Sequence, residues 1–340
     1  MSFIEINKKN YFHNLKVLSH HLGSCEKLSV VLKDNAYGHG LLEMAKLSCE
    51  FGIKRAIVRN VDEAKEIDSY FEHIIILSPK KQTKPNQKFS FVINNLSDIS
   101  SMDANCSVHL KIDTGMHRNG IDICDIEKAY EKIKEKNLIL DGVMTHFRSA
   151  DELSSELFWQ MKIWKSVKKK VLELTDKYGF NMPCFHSANS ATVFRIKSYD
   201  DNFARCGIAT YGYMQMPKCF KVADLKPVLS LWAEKIATRV LQKGQRIGYG
   251  GEFEVQKKMI VSTYDIGYAD GFFRHDGKSK LQTSYKKEFL GRVSMDLCEI
   301  ESDKQKISLF NNATYIAKHF NTISYDVLTR LSPKISRIVI

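Results

Sequence analysis

Eight apolar, β-branched runs separated by stretches of helical periodicity predict an α/β chain that begins with a (β/α)8 TIM-like barrel. The runs are Leu28 to Leu32, Ala56 to Val58, Ile74 to Leu77, Phe89 to Ile93, Val108 to Ile112, Leu140 to Met144, Cys184 to Phe185 and Phe203 to Ala209. Strand and helix alternating over about 200 residues imply a parallel sheet, and the count suits a closed barrel better than an open doubly wound sheet. Beyond Tyr213 the texture changes. Leu229 to Val240, Arg246 to Phe253, Met259 to Ile266, Glu288 to Val293 and Cys298 to Ser302 are short β-like runs punctuated by glycine, which predict a mostly β C-terminal domain. The expected domains are therefore 8–220 and 221–340, the second joined by the N-terminal strand 1–7, with the boundary near residues 218–226.

The elements follow in order. Residues 2 to 7 alternate, Phe3, Glu5 and Asn7 against Ile4 and Ile6, as a short strand does, and Lys8 to Leu22 has helical periodicity. The first barrel run ends in Lys33, and a polar, glycine-containing stretch leads from it to an amphipathic helix starting near Leu41. The fifth run leads into Lys111 to Arg118 (KIDTGMHR), the sixth into Thr145-His146-Phe147, the seventh into His186 to Ser190 (HSANS) and the eighth into Arg205 to Ile208 (RCGI). A barrel gathers its functional side chains at the C-terminal ends of its strands, and these polar groups sit there. Lys162 to Lys177 reads as an amphipathic helix with a solvated basic face.

Composition bounds the function. With 340 residues and 44% hydrophobic content the chain can bury a full core. Its N-terminus, MSFIEINKKN, lacks the apolar region of a signal peptide, and no apolar run reaches the length of a membrane span, so a cytoplasmic, non-membrane protein is expected. Eight scattered cysteines without a C-x-x-C pair suggest neither a zinc site nor a disulfide framework, and no metal is expected. The net charge of +12 is spread along the chain without a recognised nucleic-acid motif, which argues against nucleic-acid binding.

Taken singly, the polar residues have ordinary readings: Lys33 as a surface lysine in a βα loop, His146 as a core or surface histidine, Ser190 and Gly207 as turn formers, Arg205 as half of a rim salt bridge, Tyr249 as a packed aromatic. Their chemistry reads differently in combination. A primary amine at the mouth of a strand can form an imine with an aldehyde. The backbone N–H groups of Gly207 and Ile208, with the hydroxyls of Ser190 and Tyr37, could receive a phosphate. Arg205 is a donor that does not give up its proton, and His146 would lie beside it if the sixth and eighth strands both point inward.

Lys33 followed, one residue on, by Asn35-Ala36-Tyr37-Gly38-His39-Gly40 closely resembles the pyridoxal phosphate (PLP) lysine motif of the alanine racemase family. Arg205 to Gly212 matches that family's R-x-G-I-x-x-Y-G, and Gly267 to Gly271 (GYADG) and Gly291 to Asp296 (GRVSMD) strengthen the likeness, which spans the chain. The resemblance implies that Lys33 holds PLP as a Schiff base and Tyr37 reaches its phosphate. Arg205 would donate to the pyridine nitrogen and His146 would stand behind the ring, with His186, Asn189, Ser190, Gly207 and Ile208 also on the cofactor side. It assigns the two bases of a racemisation to Lys33 for the D-enantiomer and Tyr249 for the L-enantiomer, the tyrosine coming from the partner of a homodimer. Met295 would offer its backbone N–H to the substrate carboxylate and Arg118 would bind cofactor or carboxylate, oriented by Lys111, a carbamylation candidate. Asp151, Tyr268, Arg292 and Asp296 would line the entrance or support it. The implied function is interconversion of L- and D-alanine for peptidoglycan, with a broad-specificity racemase or a non-catalytic PLP carrier as rivals. The chain departs from the family at Asp34, where a small residue is usual, at His117, commonly glycine, at Arg148, and at Pro333, where some members have a tyrosine.

Overall fold

A computed structural model describes residues 1–78, 84–217, 219–221 and 224–340, so part of the expected boundary zone 218–226 lies outside the described residues. The chain forms two compact units. One comprises Met1–Tyr11, Tyr37–Glu43 and Lys226–Ile340, the other Phe12–Ala36 and Met44–Leu225. This grouping differs from the expected 8–220 and 221–340 in assigning residues 8–11 and 37–43 to the β-rich unit and in carrying the other unit to Leu225.

In the β-rich unit the N-terminal strand β1 (Phe3–Ile6) is central rather than peripheral. In the other unit eight parallel strands run in the order β8-β7-β6-β5-β4-β3-β2-β9: β2 (Leu28–Val31), β3 (Arg55–Val58), β4 (His73–Ile76), β5 (Phe89–Ile93), β6 (Ser107–Lys111), β7 (Ile139–Met144), β8 (Cys184–His186) and β9 (Ala204–Cys206). The two ends of this order meet at the parallel bridge Asn189–Arg205, and Asn202 N–H donates to the Phe185 carbonyl at 2.8 Å, so the sheet nearly closes into a barrel. Strands buried on both faces must be apolar throughout, which is why Ile74, Ile75 and Ile76, or Phe91, Val92 and Ile93, are consecutive core residues. The basic stretch Lys162 to Lys177 lies within the helix Glu156–Tyr178, which buries Leu157, Trp164, Val167, Val171 and Leu174 at helical spacing. Among the described residues no helix is long and apolar enough to cross a membrane.

The β-rich unit adds β10 (Leu229–Leu241), β11 (Arg246–Ile247), β12 (Phe253–Glu254), β13 (Met259–Tyr264), β14 (Cys298–Ile300), β15 (Lys306–Phe310) and β16 (Ser336–Val339). β1 pairs antiparallel with β10 and parallel with β16, and β10 also pairs with β13 and β15. Two expected runs are corrected here. Arg246 to Phe253 is not one strand: Gly248 and Gly250, with φ of 68° and 75°, turn the chain between β11 and β12 and set Tyr249 in a short 3-10 turn. Glu288 to Val293 makes only the isolated bridges Gln282–Glu288 and Phe289–Ile300. The eighth barrel strand is likewise shorter than Phe203 to Ala209, because the chain turns after Cys206.

Candidate active site

Lys33 follows the end of β2 and opens one helical turn, Lys33–Tyr37, of the hand that L-residues avoid: φ is 55° at Asp34, 54° at Asn35, 51° at Ala36 and 53° at Tyr37. Each residue so placed costs about 1–2 kcal/mol relative to its right-handed form. Glu63 holds the turn in the barrel unit. Its Oε1 accepts from the backbone N–H of Asp34 at 2.7 Å and of Asn35 at 3.4 Å, and its Oε2 accepts from that of Arg59 at 2.7 Å. Arg59 pairs with Asp34 at 3.0 Å, and the other Asp34 oxygen stands 3.9 Å from Lys33 Nζ. The departure at Asp34 is thus part of a brace around the lysine.

At the facing strand ends the buried Arg205 guanidinium donates to the carbonyls of His186 and Thr145, both at 2.6 Å, and of Ser187 at 3.2 Å. It also donates to His186 Nδ1 at 2.9 Å and makes a long contact of 3.5 Å to His146 Nδ1. Burial lowers its pKa to about 10, which leaves it charged at neutral pH. His146, expected beside it, is there. Burial, and then the charges of Arg205, Lys111, Arg118 and Lys33, push the His146 pKa down to about 3. Four cations therefore bear on one neutral imidazole. Lys111, at the end of β6, is buried and bonded to the Asn119 amide oxygen; burial, then Arg118 and Arg205, lower its pKa to about 8. Arg118 is carried by a turn in which Asp113 Oδ1 accepts from the N–H groups of Gly115, Met116 and His117 at 2.9, 2.9 and 3.1 Å. His117, at the position commonly glycine, has a φ of 52° there. Arg148 donates to the Gly115 carbonyl at 2.9 Å and steadies the same turn.

Three histidines of this unit, the buried His109 and His186 and the partly buried His146, have pKa values lowered from 6.5, each chiefly by loss of solvent. Below the ordinary histidine pKa the unfolded chain therefore binds their protons more readily than the folded chain does. Stability rises with pH through that window and is lost as pH falls, by at most about 1.4 kcal/mol per pH unit for each histidine while its unfolded form is protonated and its folded form is not. Calorimetry from about pH 7 to about pH 5 should find a falling thermal midpoint and proton uptake on unfolding. A flat midpoint would show that these rings are charged in the fold.

Ser190 begins the helix Ser190–Arg195, and its Oγ accepts from the N–H of Gly207 at 3.1 Å and of Ala209 at 3.4 Å, so Ser190, Gly207 and Ile208 share one corner. Asn189 caps that helix by accepting from Thr192 N–H at 3.0 Å and donates to the Phe147 carbonyl at 3.3 Å. His186, expected among the cofactor contacts near the phosphate end, instead bonds inward: one ring nitrogen accepts from Arg205 and the other meets His109. Asp151 lies exposed in a turn beyond Phe147.

The remaining candidates belong to the β-rich unit. Tyr249, Tyr268, Arg292 and Met295, separated by up to 46 positions, surround one cavity of about 220 Å3, together with Arg274, Val293 and Ser294. Tyr249 is 72% exposed, and Arg292 is paired with Glu252. A Cβ on Gly267 would stand 2.1 Å from the Met295 carbonyl oxygen and 2.4 Å from Asp296 N, so only glycine lets the 295–296 peptide lie where it does. The N–H groups of Tyr268 and Ala269 donate to the carbonyls of Ser294 and Met295 at 3.1 and 2.9 Å. Tyr37 packs its ring 5.9 Å from that of Tyr325, while Arg337 donates to the carbonyls of Gly38 and Pro333, both at 3.0 Å.

Several residues of these sites were not anticipated. Arg274 carries no motif signal, Ser294 was passed over although it lies within GRVSMD, and the Glu63 brace is a long-range contact. His109 and Asp141 did leave a trace: each is a polar residue inside an apolar run, and His109 shares a strand face with Lys111. Two groups of side chains with metal-ligand atoms, His109–Cys184–His186 and His73–His109–Asp141, lie in the barrel, the atoms within 4.8 Å of one another.

Comparison with known proteins follows the same division. Residues 6–215 match the family model described as alanine racemase, N-terminal domain, and residues 228–339 match that of its C-terminal domain. An alanine racemase of a Nitratiruptor species is 47% identical over 99% of both chains. The crystal structure of an alanine racemase from Bacillus anthracis, with bound L-Ala-P, superposes with a TM-score of 0.87 at 26% identity, covering 100% of this chain and 95% of that one. One from Bartonella henselae with covalently bound pyridoxal phosphate shares the fold, with a TM-score of 0.81 at 22% identity and coverage of 100% and 99%.

Proposed function

The chain belongs to the alanine racemase family and is an isomerase, and from that premise we propose that it interconverts L- and D-alanine with PLP by a two-base mechanism. The observation that carries the cofactor reading is the charge of the barrel mouth. Lys33, Lys111, Arg118 and Arg205 all act on His146. Of the nearby carboxylates, Asp34 is shared with Arg59 and Asp113 is bound to three backbone amides. A dianionic phosphate and a substrate carboxylate would answer that excess, and the donor set fits PLP.

In this reading Lys33 would hold the cofactor, Ser190, Gly207, Ile208 and Tyr37 would receive its phosphate, Asn189 would fix the Ser190 corner, and Arg205 would donate to its ring nitrogen. When bound, PLP supplies an electron-withdrawing ring that acidifies the substrate α-C–H. Arg205, a donor that keeps its proton, would leave the ring nitrogen unprotonated and so restrain side reactions of the α-carbon. His186 steadies Arg205 by accepting from its guanidinium at Nδ1 and at its carbonyl. Lys33 Nζ takes or returns the α-proton on the face used by the D-enantiomer, and Tyr249 Oη does so on the face used by the L-enantiomer. The exposed phenol of Tyr249 supports a homodimer in which it serves the partner's barrel. Arg118, oriented by Lys111, and the Met295 N–H would hold the substrate carboxylate. Asp151, Tyr268, Arg292 and Asp296 would form or support its entrance. Location in the cytoplasm and supply of D-alanine for peptidoglycan complete the proposal.

The test is turnover of alanine, serine and lysine by the PLP-loaded protein, each in both directions. Alanine should lead in kcat/KM by at least about tenfold over serine, since one added hydroxyl in a small pocket is discriminated by about that much or more. A flat profile would replace alanine racemase by a broad-specificity racemase, and no turnover of any amino acid would leave a PLP carrier.

A further inference from the structure

We propose that His109, Asp141 and His73 are positioning residues for racemisation: with His186 they form a hydrogen-bonded column through the barrel interior that fixes the guanidinium of Arg205. The proposal rests on the reading that Arg205 faces the cofactor ring. Starting at Arg205, the links are NH1 to His186 Nδ1 at 2.9 Å, His186 Nε2 to His109 Nδ1 at 2.8 Å, and His109 Nε2 to Asp141 Oδ2 at 3.3 Å. The same Asp141 oxygen accepts from Ser90 Oγ at 2.8 Å and lies 3.2 Å from His73 Nε2, which is 2.6 Å from Ser90 Oγ.

The ends of the column determine every proton between them. An arginine only donates, so His186 Nδ1 must accept and its proton sits on Nε2. That proton can go only to His109 Nδ1, which places the His109 proton on Nε2, aimed at a carboxylate that only accepts. Two neutral rings thus join a fixed cation to a fixed anion, and neither ring can flip or change tautomer without setting donor against donor. Burial disfavours the charged form of both rings. Asp141 is pushed up by partial burial, but its hydrogen bonds from His109 and His73 outweigh this and hold it well below the usual carboxylate range.

The barrel is built around this column. Pairing of β6 with β7 slips between Val108–Leu140 and His109–Gly142, leaving Asp141 as the extra residue of a bulge, a device that re-aims a side chain. A Cβ on Gly142 would stand 2.2 Å from His109 Nδ1, so the strand needs a glycine where the ring passes. The Phe203 ring stacks on His186 at 4.4 Å. Aliphatic side chains fill such an interior more simply, and apolar replacement of buried polar networks is often neutral or stabilising, so packing alone does not account for the column.

Wild-type holoenzyme labelled with 15N-histidine should show His109 and His186 neutral with the proton on Nε2. His109→Leu should keep the visible absorption of bound PLP and a KM for alanine within about twofold, while kcat falls about 10- to 100-fold, the range for losing a group that orients a reacting centre's partner. His109→Gln, whose amide accepts from His186 and donates to Asp141, should recover most of kcat. Full kcat in a folded His109→Leu protein, protons on Nδ1, or zinc that survives chelation with His109 and Cys184 as ligands would overturn the proposal. Should the wild-type protein not racemise alanine at all, the functional reading fails while the tautomers still decide whether the column exists.

Discussion

Lys33→Ala protein is expected to lose the visible absorption of lysine-bound PLP and at least about 10^4-fold in racemase activity, the largest effect of any single substitution in this chain. The side chain combines two duties in the proposed mechanism, cofactor attachment and proton transfer on one face, and general-base catalysis alone contributes about 10^2–10^4-fold. Its fold should survive. Lys33 Nζ is partly exposed and its nearest charged partner, Asp34, keeps Arg59, so the change should cost less than about 1 kcal/mol of stability. Equal circular dichroism and thermal midpoints would separate chemistry from folding. A persisting absorption band would mean that another amine holds the cofactor.

Tyr249→Phe is expected to produce the second largest effect, a loss of about 10^2–10^4-fold in α-proton exchange from L-alanine in heavy water, with a smaller loss from D-alanine. The substitution removes one oxygen from a ring that is 72% exposed, so stability should be unchanged. Equal losses from both enantiomers would contradict the assignment of faces. Mixing Lys33→Ala with Tyr249→Phe protein should regenerate activity, because a heterodimer would hold one site with both bases intact. Verified subunit exchange without recovery would rule out sharing of sites between subunits.

The barrel was legible because its parallel strands are buried on both faces, so that Ile74 to Ile76 and Phe89 to Ile93 appear as unbroken apolar runs. The grouping of Tyr249, Tyr268, Arg292 and Met295 around one cavity was legible only through their motifs, since no periodicity links positions 249 and 295. What stayed hidden depends on contacts remote in sequence. The bulge at Asp141 is a property of two paired strands, and His186, read on the cofactor side, shows its inward bonds only once Arg205 and His109 are seen on its two ring nitrogens. Glu288 to Val293 misled for the opposite reason: its apolar residues, Phe289, Leu290 and Val293, are buried without extended strand pairing.

The turn from Lys33 to Tyr37 also bears on how the protein assembles. An unfolded chain has almost no bias toward a mirror-hand helix of non-glycine residues, so this segment cannot nucleate folding. Its order must be imposed from outside, once β3 and the helix Val61–Glu66 have delivered Arg59 and Glu63. The reactive amine therefore reaches its final setting late, and a nascent chain that has not yet docked that helix has no finished place for the cofactor to react.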